Sequence, residues 1–309
     1  MKRWWLRPAV RVAAAMLLPL LVPALITVMI WALPGDPASI ICPRELCGDS
    51  TDVLAAKWNL DGSAWNFFSA WLSAAVQGDF GNSWRFQQGV PVIELLSDAI
   101  PNTLILISLA LIPVSLGVIS AAGNLIPAKL DPVLYLIGLV PAVVLALLAA
   151  AVVELTVQAG SFSDTARLAR LLAGAAVLGL ADGVFSGAVT GTRSLFTREN
   201  QQRYVGVSIL RGETALSNTL PNVAPALAGQ LRARTLSLLS GAVVVESVTR
   251  IDGLGDLMWG GTLQQDFGVV LACATCFALL SALLLLLQAL VEVFVAIHIR
   301  RAPVVKATA

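Results

Sequence analysis

The side chains able to do chemistry are few in this chain of 309 residues, of which 57% are hydrophobic and 13% charged. Asp182 stands alone among small and apolar residues in LGLADGVFSGAV, and Arg232 and Arg234 interrupt an apolar run further along. Glu246 ends the run GAVVVE, just before the glycine-rich, charged link DGLGDLMWGG. Isolated charges in such surroundings line a polar path and meet charged solute there, or they pair inside the protein. For Asp182 the partners on offer are Arg232 and Arg234, and a neutral, hydrogen-bonded acid between helices is a further option. For Glu246 the options are a gate or partner contact, or a carboxylate in water at the end of its run. The sequence leaves these readings open.

Other chemistries find less support. Hydrolysis within apolar surroundings would call for HExxH, GxSxG or a second acid beside Asp182, and the sequence carries none of them. Cys42 and Cys47 flank PREL, and their spacing around Pro43 permits a small disulfide loop in an oxidising compartment. His298 is the only histidine, so no metal site is expected. Cys273 and Cys276 match CxxC, but they lie one helical turn apart in an apolar run and read as small packing residues. A net charge of +1 with no basic, aromatic patch gives no reason to expect nucleic acid as a partner. There is no GxxxxGK[ST] phosphate cradle, so this chain is expected to bind no nucleotide cofactor.

The elements that position these residues follow from hydropathy. Mean hydropathy is +0.82, and several apolar runs exceed the roughly 20 residues that cross hydrocarbon. The expected fold is an all-α polytopic membrane protein with six spans, near 9–33, 103–125, 133–157, 168–189, 224–248 and 269–297. The first run, preceded by MKRWWLR, is too long for a signal-peptide core and reads as a retained span. Lys2, Arg3, Arg7 and Arg11 flank the first span, Arg193, Arg198, Arg203 and Arg211 follow the fourth, and Arg300, Arg301 and Lys306 close the chain. Positive flanks favour the cytoplasm, which places both termini there. The connector at 34–102 carries eight acids against Arg44, Lys57 and Arg85, and falls on the outer side. Within it VLAAKWNL and AWNFFSAWLSAAV have amphipathic helical spacing, with Trp65, Phe68 and Trp71 near one face. That face packs on the outer span ends or offers a docking platform. Gly174, Gly179, Gly183 and Gly187 recur along the fourth span, where small residues permit close helix packing. The chain reads as one membrane domain over 1–309, with an outer connector at 34–102 and a cytoplasmic connector at 190–223.

Five segments in register carry a resemblance: LPGDPA (33–38), GDFGNS (78–83), PV (91–92) with IPNTLIL (100–106), GAVVVESV (241–248) and DGLGDL (252–257). Together they resemble the inner-membrane permease of ABC importers for peptides and nickel, specifically the B-type subunit of dipeptide and oligopeptide systems. The resemblance covers most of the chain. It implies the type I permease fold with six core spans and inward termini in the bacterial inner membrane. It also implies a second permease subunit, separate ATPase subunits that use ATP and Mg, and an extracytoplasmic solute-binding protein. Peptides are the implied solute and nickel the lesser alternative. A secondary transporter, which would show inverted repeats and broken helices, is the reading from another class.

The resemblance further implies that two short helices around a glycine turn dock into the ATPase. The matching residues are Tyr204, Val205, Ser208, Leu210, Arg211 and Gly212, followed by Leu220, Pro221 and Asn222 in LPNVAP. Glu246 resembles the glutamate of the family's VVVE stretch, and with the isolated charges of Asp182, Arg232 and Arg234 it is a candidate for the pathway or its gate. The sequence departs from the family pattern in a shorter interval between Gly212 and Pro221, in Arg203 where an acid is common, and in the ending IHIRR.

Overall fold

The computed structural model describes residues 6–33, 37–41, 48, 50–60, 62–158 and 163–301. Cys42 and Cys47, with the proposed disulfide, lie outside the described residues, as do Trp4 and Trp5. In chain order the α-helices are α1 (Leu6–Ala32), α2 (Pro37–Ile41), α3 (Ser50–Lys57), α4 (Ala64–Ala75), α5 (Val92–Ala122), α6 (Asp131–Gly138) and α7 (Ala142–Gln158). They continue with α8 (Ser163–Leu180), α9 (Val184–Asn200), α10 (Arg203–Leu210), α11 (Ala215–Thr249), α12 (Leu254–Leu263) and α13 (Phe267–Arg301). The described residues form no named strand.

Among the described residues four helices are long and apolar enough to cross a membrane: 8–32, 92–122, 166–200 and 267–297. A fifth arises if α6 and α7, bent by 79° at their junction, count as one broken span. That break falls at Val140–Pro141, where proline disfavours a helical conformation in the residue before it. The span expected at 224–248 lies inside α11, whose middle carries Arg232 and Arg234. α11 is the central element, packed against α5, α7, α8, α9, α12 and α13. The span expected from Thr103 belongs to a helix that begins at Val92 and stands beyond the apolar run.

Sidedness within the bundle follows from two contacts. α1 packs along α13, with the Arg11 guanidinium on the Glu292 carboxylate. Leu220, Pro221 and Ala224 at the start of α11 share a groove with Leu290, Val291 and Phe294 near the end of α13. The first turns of α1 and α11 and the last turns of α13 therefore lie at one end of the bundle. Arg193 holds that end too, donating to Asp131 and to the Ile126 carbonyl.

The main core joins Leu106, Ala110 and Val114 of α5 to Leu178 of α8 and to Leu238, Ala242 and Val245 of α11. At the opposite end the connector builds an aromatic cap. Trp58 stacks on Trp84 at 5.2 Å, Trp31 meets Phe67 at 5.2 Å, and Phe267 meets Trp84 edge-on at 6.4 Å. The connector thus packs on α1 and α13 through Phe67, beside Trp31 and Leu271, whereas Trp65 is 71% exposed.

Candidate functional site

Glu246 is 0% exposed, which sets aside one of its two open readings, a carboxylate in water. Its Oε1 accepts from the Thr103 hydroxyl at 2.7 Å. Its Oε2 accepts from the backbone N–H groups of Gly255 at 2.7 Å and Asp256 at 3.3 Å. The first N–H groups of α12 have no partner within their own helix, and a carboxylate there satisfies them and complements the helix dipole. The Leu254 N–H donates to Thr103 Oγ1 at 2.7 Å, so one polar chain ties α5, α11 and α12 together. The glutamate at the end of GAVVVE is a buried clasp on three helices.

Asp182 lies where the fourth expected span breaks. Ala181–Gly183 form a single 3-10 turn between α8 and α9, with Asp182 in the left-handed region at φ 50°, ψ 26°. This conformation is uncommon outside glycine, although aspartate tolerates it better than most residues. Asp182 Oδ1 accepts from the Ala142 N–H at 3.2 Å, capping α7, and the Asp182 N–H donates to the Val140 carbonyl at 3.3 Å. The breaks in two successive spans are thereby fastened to each other. No ion pair joins Asp182 to Arg232 or Arg234 among the described residues, and Asp182 is exposed on this subunit.

The two arginines keep to the protein. Arg232 Nε donates to Gln288 Oε1 at 2.6 Å, binding α11 to α13, and Arg234 Nη1 reaches the Gly183 carbonyl at 3.4 Å. α11 therefore runs unbroken through both arginines. Gln230, passed over in reading the sequence, donates to the Gly187 carbonyl at 2.9 Å. A Cβ on Gly187 would fall 2.2 Å from Arg234 Nη2, and one on Gly191 would fall 2.1 Å from Gln230 Nε2. That part of the small-residue stripe makes room for polar side chains, while Gly174 serves apolar packing against Leu106 and Val245.

The connector after α9 has one short helix, α10, closed by Gly212 at φ 81° with its N–H on the Ile209 carbonyl at 2.9 Å. The second short helix implied by the resemblance is absorbed into α11, which contains Pro221 and Pro225. Val205 and Ser208 are buried, and Leu210 is 89% exposed. Tyr204 donates to Glu199 Oε1 at 2.6 Å and accepts from Asn222 Nδ2 at 2.7 Å, which clips α10 to α9 and α11. Burial, with the Glu199 carboxylate beside it, raises the phenol above its ordinary pKa. Arg211 and Leu220 are exposed on the same region.

Asp266 is a structural residue that the sequence reading missed. Its Oδ2 accepts from Ser83 Oγ at 2.6 Å and from the N–H groups of Trp84, Arg85 and Phe86 at 2.8, 3.0 and 3.0 Å. Its Oδ1 accepts from the Val269 N–H at 3.2 Å, the N-cap arrangement that opens α13. An aspartate just before a long apolar run was the available signal. Cys273 is buried and Cys276 partly buried, both unbonded, with Cys273 in the core beside Val269 and Leu257.

A helical bundle with two broken spans, a glycine-closed connector at one end and an aromatic cap at the other is the setting in which the comparisons decide. The model of the family described as binding-protein-dependent transport system inner membrane component matches residues 113–296. The chain belongs to that family. It is 27% identical over 278 residues to the oligopeptide transport system permease protein AppB of Bacillus subtilis, covering 82% of this chain and 86% of that protein. It is 28% identical over 276 residues to the glutathione transport system permease protein GsiC of Escherichia coli strain K12 and of Shigella boydii, covering 84% of this chain and 87% of each. As a member, the chain is a multi-pass inner-membrane permease subunit of an ABC importer. The matched segment holds Asp182, Arg232, Arg234, Glu246 and the whole of α10; the connector helices α2–α4 precede it.

Proposed function

We propose that this permease subunit forms half of the pathway of an ATP-driven importer for di- or oligopeptides. The observation that carries the reading is the unbroken family match over 113–296, which takes in both broken spans and the Gly212 turn. The printed names of the relatives, an oligopeptide and a glutathione permease, support peptides as the solute. A second permease subunit completes the pathway, ATP-binding subunits use ATP and Mg, and an extracytoplasmic solute-binding protein delivers the peptide. The end of the bundle with both termini and α10 faces the cytoplasm, in keeping with its arginines.

In this scheme α10 enters a groove of the ATPase through its exposed Val207, Ile209 and Leu210. The Tyr204–Asn222 bond passes its displacement to α11. α11 carries the motion through Arg232 and Arg234 to α13 and α9, and through Glu246 to the outer helix α12. Asp182 lines the pathway from the break between α8 and α9. Purification of the full chain from native membranes in mild detergent, with mass spectrometry of what accompanies it, tests the assignment. Recovery of a second permease and an ATPase is expected. A chain that arrives alone after gentle cross-linking overturns it.

A further inference from the structure

A cleft of about 670 Å³ opens among the described residues at the end opposite the start of α1. Its size falls within the roughly 300–1,000 Å³ of small-molecule sites. Three walls supply polar and charged groups: Asp98 and Asn102 from α5, Arg167 and Arg170 from the start of α8, and Arg250, Asp252 and Asp256 from the α11–α12 turn. Ala99, Leu171, Ile251 and Leu257 give it an apolar floor.

The charges are not spent on one another. Asn102 stands between two of the walls, accepting from Arg167 Nη2 at 2.7 Å and donating to the Asp252 carbonyl at 2.7 Å. Arg170 turns aside to Glu154 at 3.6 Å. The Arg250 guanidinium and the Asp98, Asp252 and Asp256 carboxylates form no ion pair among the described residues. Arg250 is held at φ 57°, ψ 50°, with its N–H on the Glu246 carbonyl. A non-glycine residue in this region is a strained choice, and here the turn keeps Arg250 at the rim of the cleft. Burial and the neighbouring charge of Asp252 push the Asp256 carboxyl above its ordinary range, so a cation placed between the two would relieve that repulsion.

We infer that this cleft binds a peptide by its two charged ends, the α-ammonium group between Asp252 and Asp256 and the α-carboxylate on Arg250 and Arg167. The inference rests on the importer reading above and supplies it with a solute contact on the permease itself. A guanidinium engages a carboxylate through two parallel N–H groups, and Arg167 keeps free donors beyond the one given to Asn102. The cleft also adjoins the Glu246 clasp, since Asp256 lines the cleft and donates its N–H to Glu246, so an occupant would bear on the α11–α12 turn.

The test uses the full chain in lipid nanodiscs and alanyl-alanine as probe, read by saturation-transfer NMR. Free dialanine is expected to bind, and N-acetyl-dialanine amide, which lacks both charges, to bind at least tenfold more weakly. R250A and D256N should each weaken dialanine at least tenfold, and R250K should weaken it less. Equal binding of free and blocked dialanine, or binding of neither, overturns the inference. If R250A fails to fold, the two probes on the unaltered chain decide alone. Peptide uptake by the co-purified assembly separates the two readings. Uptake without preference for free termini in the nanodisc leaves the importer standing and removes the cleft. Terminus-dependent binding without peptide uptake keeps the cleft and removes peptides as the transported class.

Discussion

Thr103 and Glu246 are 143 residues apart in sequence and 2.7 Å apart at Oγ1 and Oε1. Because Thr103 also accepts from the Leu254 N–H, the hydroxyl relays a hydrogen-bond chain from α12 through α5 to α11. Truncating Glu246 to alanine strands the Thr103 hydroxyl and the N–H groups of Gly255 and Asp256 in a dry site, at a cost of about 3 kcal/mol. Thr103→Val should cost roughly 2 kcal/mol by the same reasoning. The double variant should lose less than the sum, since both changes break one network. Thermal unfolding of the four proteins in detergent checks this, and strict additivity would show that the two residues act separately.

Asp266→Ala should detach the rim at 83–86 without dissolving the bundle. Four donors from 83–86 converge on one carboxylate oxygen, and their loss is worth roughly 3 kcal/mol locally. Limited proteolysis should then cut within 82–89 at a rate at least tenfold above the parent. Asp266→Asn, which keeps one acceptor oxygen, should fall between. Unchanged cleavage in the alanine variant would mean that the stacked Trp58 and Trp84 hold the rim unaided.

Hydropathy revealed α1, α5 and α13 because their apolar runs are long enough to show without a partner. It could not reveal the breaks. Pro141 marked one, but Asp182 looked like a lone buried acid because its task, capping α7, depends on Ala142, 40 residues away. Glu246 sat in a recognisable motif, yet its burial depends on Thr103 and the folded-back turn before α12. Arg232 looked costly because its partner Gln288 lies on another helix. Local pattern was enough for the Gly212 turn, where φ of 81° makes the glycine intelligible from the backbone alone. What stayed hidden was each polar group whose partner came from a distant segment.

Asp256→Asn should raise stability at neutral pH. The folded-state carboxyl titrates above its ordinary value, through burial first and the charge of Asp252 second. Between the ordinary and the raised value the folded chain therefore binds more protons than the unfolded one, and stability falls as pH rises through that window. Below both values each state is protonated and the penalty vanishes. Asp98, Asp252, Arg167, Arg170 and Arg250 line the same cleft and are present in both proteins. The thermal midpoint of the asparagine variant should exceed that of the parent at pH 7 and converge with it in acid. A gap that widens in acid would contradict the sign.

The connector allows surface and backbone effects to be separated. Leu210 is 89% exposed, so Leu210→Asp removes an apolar contact that this chain does not use internally. Its stability should stay within about 0.5 kcal/mol of the parent, as for most surface changes, while recovery of the ATPase in mild detergent falls at least tenfold. Gly212→Ala should do the reverse. A Cβ there meets no atom within 4 Å, so the cost is the left-handed backbone alone, roughly 1 kcal/mol. ATPase recovery should persist, because α10 keeps its exposed face. If the aspartate variant retained the ATPase in full, the docking surface would have to lie elsewhere on the same end of the bundle, with the exposed Arg211 the next residue to replace.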